Sequence, residues 1–515
     1  MSVLAEQGLA APRENRAGGG LPILLAVALA SMMLPLTVTG PAVALPALAT
    51  DLGAGVGAAQ WVQNAYGVTF AACLLAAGGL ADRFGRKRVL VAGVQVFLAM
   101  SLVCALVPNI VLVDIARALQ GVGAAGVLTS GAAILAASFD GPARARAFGV
   151  LGASFGCGLA IGPLVAGVLV AAVDWRAVFL VNVLLGLVVL ALVPRLPESR
   201  DPDARKVDWG GLATFSGSLA LLSLWFVEGP ERGWTDAAAL GALIGSGLFM
   251  LAFVLVELRV ERPMFDLSLF RRPTFVVVVC QPFTITFGFV VLLVYLPQYL
   301  QGVGGRSATE AGAMLLPLTL PVLVLPLVAG RLAARVPLRV MLAAGSVLIA
   351  AGSLWLVVLG PGAGWAELAG PLAVFGIGVG SAFGVMDNAA VSVVPVERSG
   401  TASGIFNTMR ITGESVAIAG AGALLAGLSA ADLHGRIPGL DAAGEQALAG
   451  GAVQGRLRDR LDALPQGVRG AAAEAAGQGL TSAMHTALVV LAVLALIGAA
   501  TTYAVVRDRE LGSTS

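Results

Sequence analysis

Charged side chains set inside long apolar runs are the residues of this chain that could do chemistry. Arg117 lies in one such run, Glu414 near the middle of another with Arg410 four residues before it, and Asp387 in a third beside Asn388. An Arg at the centre of a bilayer costs about 2.5–3.5 kcal/mol on insertion scales, so it is kept for a function or for a fixed partner. For Arg117 that partner would be a backbone carbonyl or Asp114, three residues earlier. An acid in the same setting can take up and release a proton, which makes Glu414 and Asp387 candidate proton carriers. The competing readings are an ion pair of Glu414 with Arg410, which share a helix face, and a packing pair of Asp387 with Asn388. Metal and nucleophile chemistry find no footing. The two His (His434, His485) and four Cys (Cys73, Cys104, Cys157, Cys280) form no ligand spacing, and there is no phosphate-binding loop and no HExxH pair. The expectation is no enzyme, no metal and no cofactor.

Such charges need membrane-crossing helices to hold them. The 515 residues are 58% hydrophobic and 12% charged, where soluble domains carry about 25% charge. The 67 Gly suit close helix packing in lipid. A span needs about 20 apolar residues. The sequence predicts spans near 22–46, 58–80, 88–107, 110–137, 144–172, 176–194, 208–228, 236–258, 274–302, 309–334, 338–359, 365–395, 399–428 and 481–506. The fold class expected is thus an all-α membrane protein of fourteen spans. The first apolar run is too long for a cleaved signal peptide. An even count puts both termini on one side, and the Lys and Arg bias places that side in the cytoplasm. Arg83, Arg86, Lys87, Arg88, Arg144, Arg146, Arg271 and Arg272 fall in loops on that side, against Arg176, Arg232 and Arg306 in short loops opposite. The segment 430–480, with Arg436, Arg456, Arg458, Arg460 and Arg469, is long enough to cross despite its charge. Its helical spacing over 444–476 reads as a helix pair over the outer mouth, or as a gate or partner-docking site.

Three local patterns stand out. Gly78 and Asp82–Val89 form a short turn in which a carboxylate, Asp82, sits beside Arg83, Arg86, Lys87 and Arg88, a set able to latch two helices by charge-assisted bonds. Gly85 permits the tight turn. Leu-Ala-x-Arg recurs at 332–335, with Ala334 in place of Asp82, so the chain reads as two related six-span halves with two spans between them. The parts are a tail at 1–21, bundles at 22–194 and 274–506, a pair at 208–258, and a tail at 507–515. In the fifth span Gly149, Gly158, Gly162, Pro163 and Gly167 thin one helix face, and Pro163 removes a backbone donor and bends the span.

These patterns resemble the major facilitator superfamily. The turn from Gly78 to Val89 is similar to its signature loop, the run Val113–Ala125 around Arg117, Gln120 and Gly121 to its fourth-span motif, and Gly149–Gly167 to its antiporter motif, with Ala166 where the family prefers Gly. Together with Gln60–Tyr66, Leu296–Gly302 and Gly312–Pro317, fourteen spans resemble the drug:proton antiporter branch. The resemblance implies two six-helix bundles plus two inserted helices, and a monomer. It implies proton-driven export of hydrophobic or amphipathic small molecules across the cytoplasmic membrane, with protons and lipid as the other partners and no nucleic acid. It also implies proton coupling through Arg117, with Asp82 able to take part. The cavity lined by spans 1, 4, 9 and 12 would offer Met33, Thr37, Gln281, Phe283, Phe287, Tyr295 and Phe383 beside Arg117 and Asp387. The branch carries an acid in the first span, and Thr37 stands at that position here. A dedicated exporter of one endogenous metabolite, lipid or siderophore, and a non-transporting receptor or scaffold, are the alternative functions.

Overall fold

The structure, a computed structural model, describes residues 20–139, 141–200, 208–260, 265, 267–333, 335–393, 399–437 and 440–507. All regular elements in it are helical. The first six are α1 (Gly20–Asp51), α2 (Val56–Phe84), α3 (Arg86–Leu106), α4 (Ile110–Ser138), α5 (Gly141–Ala172) and α6 (Ala177–Leu192). There follow α7 (Trp209–Arg232), α8 (Ala237–Arg259), α9 (Pro273–Gly302), α10 (Ala308–Met314), α11 (Leu316–Leu332), α12 (Leu338–Trp355) and α13 (Trp365–Ser392). The chain ends with α14 (Ser399–Leu433), α15 (Ala442–Val453), α16 (Leu457–Asp462) and α17 (Gln466–Val505). Among the described residues twelve helices are long and apolar enough to span a bilayer, and fourteen if two bent pairs each count as one span. The pairs are α2, bent by 52° near residue 75, and α10 with α11, bent by 44°. A bilayer leaves no water for unpaired backbone groups, which is why apolar runs of this length become helices.

Helices α1 to α6 pack on one another, as do α9 to α14 with α17, while α8 pairs with α7 and α7 leans on α2 and α14. The two groups meet where α5 faces α10 and α11 and where α2 faces α14. The first and last described residues share a face: Gly20 adjoins Phe139, the Arg86 amide donates to Ser199 O at 2.9 Å, and Arg339 lies 5.5 Å from the Tyr503 ring centroid. Apart from Gly20, Leu21 and Arg507, the expected tails lie outside the described residues, as does Ala334 of the second Leu-Ala-x-Arg copy.

The opposite face carries a cap. Arg456 donates from Nη1 to Ala54 O at 2.6 Å and from Nε to Thr50 Oγ1 at 3.1 Å. Gly455, at φ +73°, wedges between helix ends, where a Cβ would stand 2.8 Å from Pro46 of α1 and 2.9 Å from the Gln298 carbonyl of α9. The segment 444–476 is not a simple helix pair. From Gln466 onward it is the first part of the last span, which runs unbroken for 40 residues, because Gln466–Gln478 contains no Pro and is rich in Ala, the best helix former.

Candidate functional site

At the termini's face α2 and α3 are joined by Gly85 alone, at φ +111°, a conformation that side chains rarely adopt. Asp82 Oδ1 accepts from Arg86 Nε at 3.1 Å and from Nη2 at 3.0 Å. The turn then docks on the segment after α6. Glu198 accepts from the Lys87 amide at 3.1 Å, Lys87 Nζ donates to Leu196 O at 2.9 Å, and Arg88 lies 3.8 Å from Glu198. Glu198 also fills the space beside Gly85, where a Cβ would meet its Oε1 at 2.7 Å. No sequence spacing pairs Glu198 with this turn, 111 residues away.

Arg117 is fully buried between α2 and α4. Its Nε donates to Val62 O at 2.7 Å, its Nη1 donates to Gln120 Oε1 at 2.7 Å, and Gln120 Nε2 donates on to Ser101 Oγ at 2.6 Å. The guanidinium lies 4.5 Å from the Tyr66 ring centroid, a cation–π contact that adds to these bonds. Of a backbone carbonyl and Asp114, Arg117 bonds the carbonyl. Among the described residues Asp114 makes no ion pair with it, and Asp114 Oδ1 and Arg117 Nη2 are buried without hydrogen-bond partners. Gly121 lets α4 approach this close, since a Cβ there would stand 2.9 Å from the Phe70 amide nitrogen.

Helix α5 is thin on two sides. Gly158 and Gly162 face α1: a Cβ on Gly158 would stand 2.5 Å from Met32 O, and one on Gly162 3.2 Å from Thr39 Cβ. Pro163 and Gly167 face α10, as does Gly156 the neighbouring α11. A Cβ on Gly167 would stand 2.9 Å from the Ala308 carbonyl carbon, and one on Gly312 2.8 Å from the Pro163 carbonyl carbon. Thr309 Oγ1 donates to Gly167 O at 3.0 Å and Thr319 Oγ1 to Ala160 O at 2.8 Å. The halves therefore touch backbone to backbone near the capped face. Gly149 lies nearer the termini's end of α5, toward which Gly152 meets no atom within 4 Å.

Between the halves lies a small apolar cavity of about 20 Å³. Leu34, Pro35 and Val38 of α1, Phe70 of α2, Phe155 of α5, Phe289 of α9, Phe383 of α13 and Glu414 of α14 line it. Phe289 and Phe383 meet edge to face at 6.0 Å between centroids. Glu414 makes no ion pair among the described residues; Arg410 instead lies 5.3 Å from the Phe155 ring centroid. Of the seven expected cavity residues, Phe383 reaches this space. Tyr295 donates to Ile418 O at 2.6 Å, Gln281 bonds Thr502 of α17, Phe283 lies against Gly413, and Phe287 packs on the core. Met33 is buried against Gly186, and Thr37 is buried with its hydroxyl unpartnered among the described residues. Asp387 is on α13, with its side chain outside the described residues. Phe70, Phe155 and Phe289 carry no signal in the sequence, because one phenylalanine in an apolar run looks like any other.

The Major Facilitator Superfamily profile matches residues 25–418. The chain is 32% identical to the multidrug resistance protein Stp of Mycobacterium tuberculosis over 413 residues, 80% of this chain and 77% of that protein. It is 32% identical to the tetracenomycin C resistance and export protein of Streptomyces glaucescens over 418 residues, 81% of this chain and 78% of that protein. In fold it is similar to the crystal structure of a bacterial homolog of the human lysosomal transporter Spinster, inward-facing and unoccupied, with a TM-score of 0.61 and 18% identity over 98% of this chain and 100% of that one.

Proposed function

The chain belongs to the major facilitator superfamily, and on that premise we propose that this multi-pass membrane transporter is a proton-coupled antiporter exporting amphipathic, drug-like compounds. It would work by alternating access across the cytoplasmic membrane, as a monomer with both termini in the cytoplasm. The observation that carries the reading is Glu414. It faces the apolar, phenylalanine-lined cavity between the two halves and has no counter-charge in ion-pair reach among the described residues. A carboxylate so placed can hold either a proton or a bound substrate's polar group, and exclusive occupancy by one or the other is what coupling in opposite directions requires. The rings offer a large apolar contact surface, which suits the resistance and export activities named for the relatives. Arg117 and Asp82 would act as structural supports, one fixing α2 on α4 and the other the turn at Gly85.

Substrate charge sets the stoichiometry. A charge crossing 100 mV supplies about 2.3 kcal/mol. One proton in for one monovalent cation out moves no net charge, so two protons would be needed to use the voltage.

The test is dye transport in everted vesicles with and without an imposed pH gradient, on a panel that includes ethidium. Gradient-driven transport is expected from the unsubstituted protein and its loss from Glu414→Gln. Undiminished gradient-driven transport by Glu414→Gln would sink the assignment. A dedicated exporter of one endogenous compound is the second reading, favoured by the likeness to the tetracenomycin C export protein. Export of a single panel member, or of none but an antibiotic, would favour it.

A further inference from the structure

The polar residues at the start of α2 are not used by the cavity. Gln60, Gln63, Asn64 and Tyr66 are 7%, 3%, 1% and 1% exposed. Gln60 Oε1, Gln63 Nε2, Asn64 Oδ1 and the Tyr66 hydroxyl have no hydrogen-bond partner among the described residues. A buried polar atom left unpaired is costly, and ordered water is the usual remedy in protein interiors.

Two contacts set the register of α2 on α14. A Cβ on Gly67 would stand 2.6 Å from Ser415 Oγ, and one on Gly422 would stand 3.4 Å from Gln60 Nε2. Both steps are seven residues, in antiparallel order, which brings Asn64 level with Ile418. The Ile418 carbonyl accepts from the Tyr295 hydroxyl at 2.6 Å. Glu414, Ile418 and Gly422 follow one another at four-residue spacing and so lie along one face of α14. Eight residues of helix rise about 12 Å, in the direction of the capped face, where α2 begins at Val56.

We infer that the seam between α2 and α14 is a hydrated proton path joining Glu414 to the face opposite the termini, separate from the apolar cavity, with Gln60 and Asn64 holding its water. The inference rests on Glu414 as the proton-carrying group. A proton entering at the capped face passes between hydrogen-bonded waters, each gaining one O–H and giving up another, until the Glu414 carboxylate becomes a carboxyl. Around the seam, among the described residues, the charged or titratable groups include Tyr66 on α2, Asp114 and Arg117 behind it on α4, Tyr295 on α9 and Arg410 on α14, with Glu228 on α7, which packs on both helices, and the His434–Glu445 pair between α14 and α15 toward the capped face. The route has a mechanical use. A substrate bound beside Glu414 once the halves part shuts out water there, and a separate seam still lets a proton reach the carboxylate.

The experiment compares two rates for ethidium in proteoliposomes holding the full chain. One is transport driven by an imposed pH gradient; the other is exchange of labelled for unlabelled dye at equal pH. Exchange cycles only the dye-loaded carrier, so no proton need reach Glu414. Asn64→Leu and Gln60→Leu are expected to lower the ratio of driven rate to exchange rate at least tenfold, and Asn64→Ser, which keeps a group that holds water, to restore most of it. An unchanged ratio in both Leu variants overturns the inference, including the case where both rates fall together from a structural defect. So does Asn64→Ser behaving like Asn64→Leu. Ethidium transport that ignores the gradient in the unsubstituted protein, or gradient drive retained by Glu414→Gln, overturns the reading of Glu414 itself and the inference with it.

Discussion

Replacing Gly167 by Ala is expected to open the capped face more often. The added Cβ would stand 2.9 Å from both the Ala308 carbonyl carbon and the Thr309 Cα. Carbon contacts are comfortable at about 3.5–4.0 Å, and both neighbours are backbone, so no rotamer change relieves the clash. Helices α5 and α10 must part by roughly half an ångström or more, at an overpacking cost of about 1–3 kcal/mol. A conformation in which these two helices are already separated does not incur that cost. The ratio of separated to closed conformers should therefore rise roughly 5–150-fold. The assay starts from a background in which Cys73, Cys104, Cys157 and Cys280 are replaced, with Val38→Cys placed in the cavity wall. A membrane-impermeant maleimide is applied from the face opposite the termini. While the open form is the minor one, the labelling rate scales with its population and should rise by the same factor in Gly167→Ala. Gly152→Ala on the same helix, whose Cβ meets nothing within 4 Å, should leave the rate unchanged. Labelling within twofold of the parent, in a Gly167→Ala protein present at normal level, would refute the argument that this contact holds the face shut.

Two further outcomes follow from contacts already described. Gly85→Ala forces a side chain into φ +111° and against Glu198; it should destabilise the protein by about 1–3 kcal/mol, read as a lower melting temperature in detergent, and an unchanged melting curve would contradict it. Arg456→Ala removes the bonds to Ala54 O and Thr50 Oγ1, each worth about 1.5–3 kcal/mol for a charged donor. Protease cleavage within 454–465 should then speed up at least tenfold, while equal cleavage rates would show that the cap is held by other contacts.

Much of this protein was legible without coordinates. Runs of apolar residues must become helices in lipid, because backbone groups have no other partner there. The predicted and observed spans accordingly agree to within a few residues at most ends, as in 58–80 against Val56–Phe84 and 236–258 against Ala237–Arg259. The last span is the exception, starting at Gln466 rather than 481, because hydropathy marks where a helix meets lipid and not where its backbone bonding begins. Gly85 and the small-residue faces of α5 could be read as well, since a tight turn and a close helix approach each exclude side chains by sterics alone.

What only the tertiary structure decided is which partner each polar group takes. Arg117 had Asp114 three residues away and bonds instead to the Val62 carbonyl of a neighbouring helix. Glu414 had Arg410 one turn earlier, yet the guanidinium lies over Phe155 of the other half and leaves the carboxylate to the cavity. Glu198, in no recognisable pattern, closes the turn at Gly85. The reason is physical. Helix formation depends on local composition and on the solvent, both written along the chain, whereas a side chain's partner depends on which atoms the packing of distant helices brings within about 3 Å.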